Sequence, residues 1–361
     1  MSVLCVVAAV AAAVADWPLT GQAHHGTAGQ RPAGLAASGR ILAQTAAGGL
    51  VVAVPGGRKA ASLSSLGQFP ADLAVAPDKR YVWLGDGQVL SLAGLRHAAV
   101  TQTKAKFSIN TEPSSLNLFA GHDRFAIRMD SFHGAPAAAA HIRVNALATG
   151  REVALGKGHL AAGDPQTAGA FVTVAGPPRL SATGNNLTPD TRLELRIAGH
   201  PPVVLATAAK LNHGLGASRR REVALVPFPS PSGSEVAVEV ETVAAHPIAE
   251  IVVLSRAGKL LDTPAPPGPP VRLAWSPGGT SLAYVTLGTA GPGLTIWRVG
   301  GGSITMTFPF TGAHYDRCVW SPDGASVLCS DPAGRHWAVA HAAGGQMIPV
   351  PGRGVPLTWI R

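Results

Sequence analysis

Three groups of residues carry side chains capable of chemistry: the histidines, one run of arginines, and the cysteines. There are 13 histidines. His24 and His25 are adjacent, and His133 and His141 bracket a Gly/Pro/Ala-rich stretch. Neither pair has the helical or hairpin spacing that fixes imidazoles around zinc, so no metal and no cofactor is expected. Arg219, Arg220 and Arg221 stand together, a cluster that could grip an anion. Equally, such a run is ordinary in a solvated loop. Of three cysteines, Cys318 and Cys329 lie either side of a turn-forming stretch, while Cys5 sits near the amino end. Nucleophilic or phosphoryl chemistry has no visible seat. There is no Gly-x-Ser-x-Gly elbow, no His-Glu-x-x-His and no Gly-x-x-x-x-Gly-Lys loop. Only 20 residues are Asp or Glu, and many fall in turns, which argues against an acid/base pair.

These residues must be positioned by a chain of 361 residues with 46% hydrophobic and 14% charged content, 43 glycines and 30 prolines. That is turn-rich and excludes a helical bundle. The alanines lie between glycines and prolines without a sustained 3.6-residue period, so they read as a GC-rich, actinobacterial-type coding bias. The excess of Lys and Arg, 29 in all, gives a net charge of +9 and implies affinity for polyanions such as teichoic or phospholipid surfaces or acidic partners. Nucleic acid is not expected, because the aromatics that stack on single strands are not interleaved with the basic residues.

The organising stretch is Cys318-Val-Trp320-Ser321-Pro322-Asp323-Gly324-Ala-Ser326-Val-Leu-Cys329, two short strands about a tight turn. Proline presets φ, Ser and Asp hydrogen-bond nearby amides, and Gly accepts the positive φ that returns the chain. The pairing this implies sets Trp320 against Val327, Val319 against Leu328 and Cys318 against Cys329. Opposed cysteines can form a disulfide or remain a buried thiol pair. The pattern recurs at Leu273-Ala-Trp275-Ser276-Pro277-Gly278-Gly279, 45 positions earlier, and such a period signals a β-propeller. At these residues the chain resembles the WD-like repeats of TolB-type propellers, whose blades carry Ser-Pro-Asp-Gly after the innermost strand.

Two markers follow the repeat. Turns fall near Ser38-Gly39, Pro77-Asp78, Gly121-His122-Asp123, Gly163-Asp164, Ser230 to Gly233, Pro277 to Gly279 and Pro322 to Gly324. Third strands end at or near Gly56, Gly94, Gly150, Gly199, Gly258, Gly300 and Gly344. Both give seven, so the fold class is all-β, a seven-bladed β-propeller over residues 33–361. Six or eight blades are the neighbouring readings, because Leu187-Thr-Pro-Asp190 resembles the turn. Val355 to Ile360 repeats the first-strand pattern with nothing after it, and is expected to close the ring by completing the first blade. Trp275, Trp320 and Trp359 then occupy equivalent packing positions.

Residues 2–15 are apolar and uncharged and end in Ala13-Val14-Ala15, a signal peptide or N-terminal anchor (residues 1–15), with residues 16–32 a flexible tether. Either reading places the remainder outside the cytoplasm. The longest connections lie at Ser131 to Ala140, Gly176 to Asp190 and Val243 to Pro247, with the Ala208 to Arg221 crossover beside them. In a propeller these open on one face. The expected function is therefore a non-enzymatic, exported, monomeric scaffold that holds a protein or anionic cell-envelope polymer through loops of blades 3 to 5, with Arg219, Arg220, Arg221, His133 and His141 as binding residues. The alternative is a lyase or hydrolase with its site in the central channel.

Overall fold

In a computed structural model of the chain, the described residues are 39–45, 47–54, 60–62, 74–76, 79–83, 88–92, 101–106, 119–130, 140–174, 191–214, 223–242, 249–264, 270–288, 291–309, 317–331, 333–352 and 354–360. They form an all-β fold of antiparallel sheets. β1 (Arg40–Gln44), β2 (Leu50–Ala53) and β3 (Ala60–Ser62) make one sheet, and β4 (Ala74–Val75), β5 (Tyr81–Trp83), β6 (Gln88–Ser91) and β7 (Thr101–Lys106) the next. β8 (Phe119–Ala120), β9 (Phe125–Asp130), β10 (Ala140–Ala146), β11 (Glu152–Gly163), β12 (Gly169–Val174), β13 (Arg192–Ile197) and β14 (Val203–Thr207) form a single seven-stranded sheet. Three four-stranded sheets follow. The first contains β15 (Val223–Pro229), β16 (Glu235–Thr242), β17 (Ala249–Ser255) and β18 (Leu260–Asp262). The second contains β19 (Pro270–Trp275), β20 (Ser281–Gly288), β21 (Gly291–Arg298) and β22 (Ser303–Thr307). The third contains β23 (Arg317–Trp320), β24 (Ser326–Ser330), β25 (Trp337–His341) and β26 (Ile348–Val350). The last strand, β27 (Val355–Ile360), returns to pair antiparallel with β1, Ile41 opposite Trp359. Several four-stranded antiparallel sheets of this kind are consistent with a β-propeller.

The seven-stranded sheet differs from the expected pair of separate units, and β11 is the reason. Its first half pairs with β10 and its second half with β12, so one unbroken strand is the last of one repeat and the first of the next. At its far end Gly163 lies so close to β8 that a Cβ there would run into the Phe119 carbonyl. A second difference is α1 (Ala208–Gly214), a helical turn where a loop was expected. The Thr207 hydroxyl accepts from the Lys210 amide at its start, 3.2 Å away.

The hairpin turns form as their residues dictate. The Ser321 hydroxyl accepts from the Ser326 amide (2.9 Å), Asp323 accepts from the Ala325 amide (3.0 Å), and Gly324 lies at φ +70°. The pairing is Trp320–Val327, Val319–Leu328 and Cys318–Cys329, as expected, and the two cysteines are disulfide-bonded with Cα atoms 4.1 Å apart.

The two sequence markers also touch. In six repeats an amide just after the third strand donates to a carbonyl of the hairpin turn: Leu92 to Arg80, Leu147 to Arg124, Ala198 to Ala168, Arg256 to Ser234, Val299 to Thr280 and Ala342 to Ala325, all between 2.7 and 3.1 Å. Each of these turns is thereby anchored to its own sheet, which leaves the opposite ends of the strands to carry long connections.

The core lies between successive sheets. Leu193, Leu195 and Leu205 meet Val236, Val238 and Leu254, and Ile251 and Val253 meet Leu282, Tyr284 and Trp297. Val285 and Ile296 then meet Trp320 and Val327, and Trp337 and Val339 meet Ile41 and Trp359. Leu42 and Val52 pack against Val82 and Leu92, and Ala76 and Val89 against Phe119, Ala126 and Ala161. Two tryptophans do more than fill space. Trp275 Nε1 donates to the Phe228 carbonyl, and Trp320 Nε1 to the Ala274 carbonyl, both at 2.8 Å, so each ties its first strand to that of the preceding sheet.

Candidate binding face

Antiparallel pairing puts the second-to-third-strand connections and the crossovers at the end of each sheet opposite the hairpin turns. Residues 131–139, 175–190, 215–222 and 243–248 leave from this end on consecutive repeats and lie outside the described residues. Arg219, Arg220, Arg221 and His133 are among them. The turn-like Leu187 to Asp190, the tether and the N-terminal apolar segment are also outside. His141 is described, near the start of β10, where the register sets it between Asp130 on β9 and Lys157 on β11. Two residues along, Arg143 pairs with Glu152. On β17, Glu250 at the same end has its pKa raised above the ordinary carboxylate range by burial.

Below this rim lies an ion cluster that sequence reasoning did not single out. Glu194 on β13 is buried and pairs with both Arg192 and Arg196. The Arg196 guanidinium also donates to the carbonyls of Leu155 (3.0 Å) and Lys157 (2.7 Å). Leu155 and Lys157 lie in the half of β11 that pairs with β10, so Arg196 fixes the strand that bears Lys157 opposite His141. The signal was the alternation Arg192-Leu193-Glu194-Leu195-Arg196, which in a strand puts all three charges on one face and both leucines on the other.

A second unread pair binds neighbouring repeats at the hairpin end. Asp164, fully buried, accepts both terminal nitrogens of Arg256, with Nη2 at 2.6 Å. It also accepts from Thr167 Oγ1 and from the Gln166 amide (3.2 Å). A bidentate guanidinium with two further donors satisfies a desolvated carboxylate. Gln166 adds a bond to the Ser232 carbonyl at 2.5 Å. The Asp164–Arg256 pair therefore holds two neighbouring repeats together. The first strands β4, β8, β15, β19, β23 and β27, and the half of β11 that pairs with β12, contain no Asp or Glu, although β11 begins at Glu152, and among the described residues no three His, Cys, Asp or Glu side chains converge on a point that could hold a metal.

No protein-family model matches the chain, and no curated protein matches it. Solved structures do. A functionally unknown protein from Desulfotomaculum acetoxidans DSM 771 is 10% identical with a TM-score of 0.50, over 87% of this chain and 99% of that one. A structure from work on two prolyl endopeptidases is 9% identical with a TM-score of 0.50, over 89% of this chain and 51% of that one. TolB from Acinetobacter baumannii is 13% identical with a TM-score of 0.45, and the chain spans about two thirds of it, 66%, with 89% of its own length. Likeness at such identity is one of fold, and one fold carries many activities.

Proposed function

We propose that the chain is an exported, monomeric, seven-bladed β-propeller that holds a protein or anionic cell-envelope polymer on one face without catalysing a reaction. Seven blades follow if β11 is counted as both the last strand of the third and the first of the fourth. Closure is supported by the β27–β1 pairing and by cores that run from each sheet to the next and back to the first. The observation that carries the reading is that the described strands flanking residues 131–139, 175–190 and 243–248 have those ends on one side of three consecutive repeats, in a chain of net charge +9 whose sequence carries Arg219, Arg220 and Arg221 between β14 and β15. Binding loops set on a rigid frame are the ordinary use of such an architecture. Export is supported by the disulfide, and no helix among the described residues is long and apolar enough to cross a membrane.

The test is titration of the full chain with lipoteichoic acid, with pull-down from envelope extracts in parallel. Changing Arg219, Arg220 and Arg221 together to Ala is expected to weaken polymer binding, or recovery of a retained protein, by at least about tenfold at low salt, with a smaller difference as salt screens the charges. Unchanged behaviour in both assays overturns the assignment.

A further inference from the structure

Only five large apolar side chains are strongly exposed among the described residues, and four of them sit on the outer strands of two neighbouring repeats: Val203 and Val204 on β14, Leu260 and Leu261 on β18. Register shows how they face. Val203 lies opposite Leu195 and Leu260 opposite Leu254, and both partners belong to the core between the β11–β14 and β15–β18 strands. Val203, 47% exposed, and Leu260, 49% exposed, are therefore the uncovered outer lip of that core. The gap between them is narrow, because Gly258 packs on the Leu205 backbone so closely that a Cβ there would collide with the Leu205 carbonyl.

We propose that this notch is a docking surface for a short segment of a partner protein carrying bulky apolar side chains flanked by carboxylates. A contiguous apolar lip on an outer rim is the usual mark of a contact surface. Charge selects the occupant. The turns that border the notch supply exposed His200 and Lys259 and no acidic residue, and the one carboxylate of β18, Asp262, accepts from the Thr263 amide at 2.8 Å. A second copy is disfavoured, since it would set Lys259 and His200 against their own counterparts on molecules of net charge +9. This surface is separate from the loop face and rests on different residues.

The probe is a fluorescein-labelled acetylated peptide, Asp-Glu-Leu-Phe-Leu-Asp-Glu, titrated with the full chain by fluorescence anisotropy. The exposed pair Val203→Ser with Leu260→Ser is expected to weaken binding by at least about tenfold while the melting temperature stays within a few degrees. Lys259→Glu should weaken it likewise. Val54→Ser, an exposed apolar site elsewhere, and the Arg219, Arg220, Arg221 triple change should leave it within about twofold, which separates this surface from the loop face. No binding by the unaltered chain up to about 1 mM peptide, or equal binding by the Val203/Leu260 variant, overturns the proposal. So does a concentration-dependent dimer that those two substitutions dissolve.

Discussion

Tyr284 shows how a single residue sets a margin of stability. Its side chain is 0% exposed, and the hydroxyl has no hydrogen-bond partner among the described residues. Thr295, opposite it on β21, is occupied with Thr305 at 3.0 Å. A buried unpartnered hydroxyl costs about 1–3 kcal/mol, while the ring around it fills a core that Leu282 and Trp297 share. Burial pushes the phenol from its ordinary 10.0 up to about 12. A raised acid keeps its proton in the folded state at a pH where the unfolded chain has released it. Unfolding is therefore increasingly favoured between pH 10 and about 12, and the penalty is absent below that window. Tyr284→Phe is expected to gain about 1 kcal/mol at pH 7 and to flatten the decline above pH 10. Urea titrations at pH 7 and on both sides of pH 10 measure both; an unchanged alkaline slope would show that the phenol does not drive it.

At the scale of elements, the β23–β24 hairpin was legible to the residue, because Ser321, Pro322, Asp323 and Gly324 admit one compact turn and a period-two strand then has one register. All seven expected third strands are present. What stayed hidden was contact between elements. The turn markers and glycine markers were read as separate tallies, yet in six repeats one hydrogen bond joins the turn to the residue just after the third strand. The continuity of β11 was invisible because no residue breaks it, and α1 is only seven residues, too short for a helical period to register. Of the candidate site, the connections marked in the sequence lie outside the described residues and only His141 falls within them, while the buried Glu194 and Asp164 depend on partners 2 to 92 positions away. The hairpin carries its own prediction. Its disulfide closes a loop of separation 11, for which the chain-entropy relation gives about 3 kcal/mol. Reduction should lower the free energy of unfolding by that amount, read as a lower urea midpoint, while the folded core around both buried cysteines persists. A protein equally stable with and without reductant would mean the pair only packs.

For the whole molecule the question is what holds the last strand to the first. Where other repeats run from first to second strand through a turn, here β27 ends at Ile360 and β1 begins at Arg40, joined only by pairing. The covalent turn is replaced by side chains. Lys79, at φ +57° in the turn between β4 and β5, donates from Nζ to the Trp359 carbonyl at 2.6 Å. Trp359 is fully buried with Trp337 against Ile41 and Leu328. Removing residues 355–361 would strip the first sheet of its edge and uncover that cluster. Deleting a buried Trp alone costs about 3–5 kcal/mol, comparable with the whole margin of a domain. The truncated chain is therefore expected to lose cooperative unfolding altogether. Lys79→Met keeps the packing of the stem but removes the donor, and should cost only about 1–2 kcal/mol, with a single sharp transition retained. Thermal melts followed by near-ultraviolet circular dichroism distinguish the cases, because Trp337 and Trp359 report directly on the splice. If the truncated chain melts as sharply and as high as the full one, β27 only decorates the first sheet.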